Sequence, residues 1–141
     1  MYFDTAYVAK FYLDESDSLQ VRQLVQASGS IYTSALTLAE FQAVLHRRTR
    51  EGLLSTQNAS RLAAGFSSDV ESRLWLLHST SDALMRRTAD LIAKISHEIF
   101  LRAADAIHLT TARDAGELEI WTNDRHMLAA APHFGLKGRS V

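Results

Sequence analysis

At 141 residues, 47% hydrophobic and 22% charged, the chain has the size and balance of one compact domain, residues 1–141. A net charge of −1 and the lack of cysteine exclude nucleic-acid binding by basic charge alone, disulfides and thiolate metal sites. No apolar run approaches the roughly 20 residues of a membrane span, and Met1-Tyr2-Phe3-Asp4 is unlike a secretory leader, so a cytoplasmic location is expected.

Tyr2-Phe3-Asp4 reads as the end of a short strand, followed by a helix over Thr5 to Leu13. Leu19, Val21, Leu24 and Val25 give Asp17 to Ala27 a helical pattern that closes at Ser28-Gly29. Ile31-Tyr32-Thr33 is β-favouring. Helices are predicted over Thr37 to Arg50, with Leu38, Phe41 and Leu45 on one stripe, and over Thr56 to Val70. Leu74 to Leu77 reads as a strand. Asp82 to Ile95 reads as an amphipathic helix, with Leu84, Leu91, Ile92 and Ile95 on one face and i,i+4 charge pairs among Arg86, Asp90 and Lys94. A helix over Ala103 to Ala115 stops at Gly116, and a strand follows over Leu118 to Trp121. A short helix over Arg125 to Ala131 precedes Pro132, and Leu136 to Val141 is a candidate last strand. Strands alternating with helices imply an α/β fold, three layers α/β/α around a parallel sheet of four to five strands.

Four carboxylates invite a chemical reading, and each also has a plain structural one. Asp4 ends a strand before a helix, where cap and site are evenly matched. Glu40 completes Thr37-Leu38-Ala39-Glu40, a capping-box pattern, yet apolar neighbours imply partial burial, which is costly for an unpaired acid. Asp105 lies within the mostly apolar helical stretch Leu101 to Leu109, where aspartate is unfavourable. Its structural alternative is a pair with Arg102 or His108. Asp124 follows a strand and, taken singly, reads as a helix cap.

Location shifts the balance. Ligands of parallel α/β sheets bind beyond the carboxyl ends of the strands, at the point where strand order reverses. Asp4 and Asp124 lie just past strand ends, Glu40 in the turns after another, and Asp105 near a helix start, so all four can converge on one rim. Two carboxylates about 4 Å apart repel by roughly 4 kcal/mol at an effective dielectric near 20. A hard cation, Mg²⁺ or Mn²⁺, would relieve that repulsion and offset a phosphate's charge.

These residues and their order resemble the PIN-domain family, and within it the VapC-type toxins of toxin–antitoxin pairs. Tyr2-Phe3-Asp4-Thr5-Ala6 resembles the family's opening strand and first acid, and Leu38-Ala39-Glu40-Phe41 its second. Asp105-Ala106-Ile107-His108-Leu109-Thr110-Thr111-Ala112 resembles the third, and Thr122-Asn123-Asp124 the closing Thr-x-Asp. The resemblance implies a five-stranded parallel sheet and Mg²⁺- or Mn²⁺-dependent endonucleolytic cleavage of RNA. It also implies homodimerisation and inhibition by a VapB-type antitoxin that inserts a segment into the groove. Thr5 and Thr122 become supporting residues, Thr122 by orienting the site. Ala6 stands where many relatives carry a small hydroxyl residue.

On this reading Asp4, Asp105 and Asp124 bind metal, with Glu40 holding a water on it or a second ion, and cleavage leaves a 3′-hydroxyl and a 5′-phosphate. Arg102 and Arg125, beside two of the acids, are the expected RNA contacts. The basic run His46-Arg47-Arg48-Thr49-Arg50 reads rather as dipole compensation on a solvated face. His108 reads as a packed or hydrogen-bonded helix residue, and Trp75 and Trp121 as core. The rival enzyme readings are a metal-dependent phosphatase or a DNA nuclease. The rival from another class is a non-catalytic RNA- or protein-binding module.

Overall fold

The computed structural model describes residues 1–29 and 31–141. Five short strands, β1 (Tyr2–Phe3), β2 (Ile31–Ser34), β3 (Trp75–His78), β4 (Glu119–Trp121) and β5 (Lys137–Arg139), form one all-parallel sheet in the order β3-β2-β1-β4-β5. Between them run α1 (Thr5–Tyr12), α2 (Ser18–Ala27), α3 (Leu36–Arg50), α4 (Thr56–Glu71), α5 (Asp82–Ile92), α6 (Ala103–Asp114) and α7 (Arg125–Ala130). A 3₁₀ turn, Ala131–Phe134, follows α7. Among the described residues no helix is long and apolar enough to cross a membrane.

The two residues of β1 show how the layers are built. Successive strand side chains point to opposite faces, and Tyr2 and Phe3 are both fully buried. Phe3 packs in a cluster with Tyr7 and Val8 of α1, Val21 and Val25 of α2, Phe41 and Leu45 of α3, and Phe66 of α4. Tyr2 joins Ala106, Leu109 and Ala112 of α6 and Met127 and Ala130 of α7 on the other face. The result is the three-layer α/β/α arrangement expected from the element order.

Several details differ from the expectations. The Asp82 helix ends at Ile92, and Ile92 is exposed. Arg86 pairs with Asp82 at 2.8 Å rather than with Asp90, so the helix uses its N-terminal acid for that charge pair. Leu38, placed on an apolar stripe by its spacing, is likewise exposed. Thr37 does not head a capping box. Ala35 is the N-cap residue of α3, Ser34 Oγ accepts from the Leu36 N–H at 3.1 Å, and the Thr37 hydroxyl is buried between Thr33 at 2.7 Å and Thr5 at 3.1 Å. Trp75 is buried and Trp121 packs against the same core, as expected.

The strand order decides where a ligand can enter. The chain moves outward from β1 to β2 and β3, then returns to lay β4 on the other side of β1. The switch point therefore lies between β1 and β4, and their carboxyl ends open the crevice where such sheets bind ligands.

β5 is held against α7 by close backbone approach. A β-carbon at Gly138 would stand 2.8 Å from Leu128 Cδ2 and 3.2 Å from Leu128 Cα. Gly138→Ala is therefore expected to lower stability by about 1–3 kcal/mol in urea denaturation; an unchanged midpoint would show that this approach can relax freely.

Candidate active site

The carboxyl ends of β1 and β4 are followed closely by Asp4 and Asp124. Each is the N-cap of the next helix. Asp4 Oδ1 accepts from the Tyr7 N–H at 2.8 Å, while Asp124 Oδ1 accepts from the N–H groups of His126 at 2.7 Å and Met127 at 3.2 Å. Short acceptors at this position satisfy helix donors that have no partner within the helix. One oxygen of each acid serves the cap and the other is left out of it. Cap and site thus need not compete for the same residue.

Asp105 is the third residue of α6, not an interior residue of it. Its Oδ2 accepts from the Arg102 N–H at 3.4 Å, and an acid in a first turn is favoured by the helix dipole. The expectation that aspartate is unfavourable in a helix interior, which favoured a site role over a structural one, therefore does not apply to Asp105. The polar alternative, a contact with Arg102, is present through the backbone. Glu40 comes from the second turn of α3 and does no capping. Its Oε2 accepts from the Thr5 hydroxyl and lies 2.9 Å from His108 Nε2.

All four acids, with Thr5, Ala6, Arg47, Arg102 and His108, line one open cleft of about 490 Å³. A second hollow of about 440 Å³, between α3 and α4, has no carboxylate in its lining. Arg102 Nη1 stands 3.6 Å from Asp124 Oδ2. Arg47, expected on a solvated face, lines the cleft as well. Arg125 is exposed at the start of α7 and is not among the lining residues. Thr122 is fully buried, and its hydroxyl accepts from the Asp124 N–H at 3.0 Å, bracing the turn that carries this acid.

His108 is buried and hydrogen-bonded on α6, as expected, but its partners make it part of the site. Nδ1 lies 2.9 Å from the Tyr2 hydroxyl, and Nε2 faces Glu40 at 2.9 Å and Thr5 Oγ1 at 3.2 Å. The set is satisfied when Tyr2 donates to Nδ1 and Nε2–H donates to Glu40. Sequence spacing alone does not find this link, because it joins α3 to α6 across 68 residues.

The electrostatics divide the acids. Burial raises the pKa of Asp4, and the Tyr7 N–H and Thr122 hydroxyl offset it only in part, with Glu40 adding to the rise. Burial likewise raises Asp105, partly opposed by the Arg102 N–H and reinforced by the charge of Asp124. Burial would raise Glu40 too, but the His108 ring and Thr5 outweigh it and hold Glu40 below its ordinary value.

Among the described residues, no three Asp, Glu or His side chains are grouped to hold an ion directly. The donor chemistry still fits a hard cation that keeps several waters. The lining acids offer only oxygen, and Mg²⁺ commonly takes one or two carboxylates with water completing its shell. His108, bonded through both ring nitrogens, is not free to act as a ligand.

The raised acids bind more protons in the fold than in the unfolded chain between about pH 3.9, the ordinary aspartate value, and their higher folded values. Stability without metal thus falls as pH rises through that window. Asp4→Asn, which keeps a cap acceptor but carries no charge, is expected to raise the melting temperature of the chelator-treated protein at pH 7. At a pH below the ordinary aspartate range the gain should vanish. An equal or lower melting temperature at pH 7 would contradict the burial cost assigned to this acid.

The PIN domain family model matches residues 1–132. Among solved structures, VapC20 of Mycobacterium tuberculosis, described as a sarcin–ricin loop cleaving toxin, is similar with a TM-score of 0.73. The identity is 18%, over 92% of this chain and 93% of that one. A chain of FitAB bound to a DNA fragment is similar with a TM-score of 0.71 at 14% identity, over 99% of this chain and 93% of that one. At these identities the likeness is one of fold. No curated protein matches the chain in sequence. The family match runs nearly the whole length of the chain, over the elements that carry all four acids, and the chain belongs to the PIN-domain family.

Proposed function

We propose that the chain, as one domain over residues 1–141, is a metal-dependent endoribonuclease and the toxin of a VapC-type toxin–antitoxin pair. The observation that carries this reading is the cleft at the β1/β4 switch point, lined by carboxylates from four separate elements. The fold shared with a toxin described as cleaving the sarcin–ricin loop supports RNA as the substrate. A cytoplasmic location, homodimerisation and a VapB-type antitoxin whose segment fills the groove complete the proposal.

Asp4, Asp105 and Asp124 would hold Mg²⁺ or Mn²⁺, with Glu40 holding a water or a second ion. The ion, when bound, would supply water activation and neutralise charge developing on the scissile phosphate. Glu40 is kept ionised and aimed by His108 and Thr5, and this suits an acceptor for a proton from the attacking water. Thr122 fixes the Asp124 turn. Arg47 and Arg102 flank the acids and offer phosphate contacts that draw the backbone into an otherwise repulsive cleft. Arg125, at the exposed edge, extends that basic margin. In-line attack on the phosphodiester then leaves a 3′-hydroxyl and a 5′-phosphate.

Asp105→Asn is expected to abolish cleavage of total RNA in Mn²⁺ while circular dichroism stays unchanged. Retained activity would remove Asp105 from the site. Side-by-side assays on single-stranded DNA and on small phosphate esters separate this reading from the DNA nuclease and phosphatase readings; preference for either would replace it. Millimolar Mn²⁺ should raise the melting temperature, because a ligand that binds only the folded state stabilises it. An equal rise in Asp4→Asn would place the ion elsewhere.

A further inference from the structure

One margin of the cleft carries an aromatic ring that neither the core nor the acid site uses. Phe100 lies between α5 and α6, two residues before Arg102, and is 52% exposed. It is nonetheless held in place. The His126 ring of α7 stands 4.5 Å away, centroid to centroid, tilted by 45°. The Arg102 guanidinium lies 5.4 Å from the centroid of the Phe100 ring.

Arg102 connects this ring to the chemistry. It lines the cleft and reaches to within 3.6 Å of Asp124 Oδ2. On the other side, Arg125 Nε stands 3.4 Å from His126 Nε2. An exposed phenyl ring, an imidazole and two guanidinium groups thus form one continuous surface that leads from solvent to the carboxylates. An exposed phenylalanine alone would fit a protein partner equally well. Here two guanidinium cations, Arg102 and Arg125, belong to the surface, and it runs directly into a site read as accepting a phosphodiester. A polyanion whose bases offer flat apolar faces satisfies both features. A base within a duplex is already stacked on its neighbours and cannot lie on the ring, so the nucleotide must be unpaired.

We propose that Phe100, braced by His126 and Arg102, is a stacking platform for an unpaired nucleobase next to the phosphodiester held in the acid cleft. The base covers the ring, while Arg102 and Arg125 meet the phosphates on either side. The proposal rests on the nuclease reading and adds to it the residue that contacts the base.

The test compares the intact wild type with Phe100→Ala and Phe100→Trp in Mn²⁺. The substrates are a short single-stranded RNA containing 2-aminopurine, the same RNA in duplex form, and the corresponding single-stranded DNA. Phe100→Ala is expected to raise KM on the single-stranded RNA about 5- to 150-fold. Its kcat and melting temperature should stay near those of wild type, and the quenching of 2-aminopurine emission on mixing should be lost. Phe100→Trp should restore both KM and quenching, and the duplex should be a poor substrate. Unchanged KM and quenching in Phe100→Ala, equal loss in Phe100→Trp, or a duplex cut as well as the single strand would each overturn the platform while leaving the nuclease reading intact. Preference for the DNA strand, with the same Phe100 dependence, would keep the platform and replace RNA as substrate. Absence of cleavage by wild type on every substrate would overturn the nuclease reading and the platform with it.

Discussion

Three helices, α1, α6 and α7, begin at the same cleft, and the need to satisfy their first N–H groups fixes three of its acids. Asp4 and Asp124 cap α1 and α7, and Asp105 sits in the first turn of α6, each using one oxygen on backbone donors. The partial positive charge of each helix N-terminus offsets some of the repulsion among the acids. Carboxylates that would otherwise separate are thereby held together by bonds that belong to the fold. The strand order completes the constraint, because only the return of β4 to the free side of β1 brings Asp124 beside Asp4.

Glu40 is held in another way. It lies beyond the first turn of α3 and takes no part in capping that helix, so its position depends on a polar chain running Tyr2–His108–Glu40–Thr5–Thr37. That chain ties β1, α1, α3 and α6 together beneath the cleft. It also sets the contrast between the acids, with Glu40 kept ionised while Asp4 and Asp105 resist ionisation through burial. Burying carboxylates in this way is a cost that the surrounding core must offset.

Much of this was legible in the sequence because the signals are local. Alternating strand and helix patterns gave the layers, and acids at strand ends gave the rim on which Asp4 and Asp124 stand. Boundary errors arose where local spacing was a poor guide to burial, as with Leu38 and Ile92. The mistaken capping box at Thr37 has a similar origin. Its pattern was present, but Thr33 and Thr5 lie within reach of the Thr37 hydroxyl only once β1 and β2 pair. The same limit hid Arg47, Phe100 and the partners of His108. Their places depend on which helices the strand order brings together, and no periodicity records that.

The proposed function of the positioned acids, the flanking arginines and the exposed aromatic margin depends on a cation binding in the crevice between β1 and β4. Anomalous diffraction from crystals grown with Mn²⁺ tests that site most directly. A peak in the cleft within coordinating reach of Asp4, Asp105 or Asp124 oxygens, lost in Asp105→Asn crystals, is the expected result. A fully occupied Mn²⁺ peak outside the cleft, with none inside it, would contradict the account.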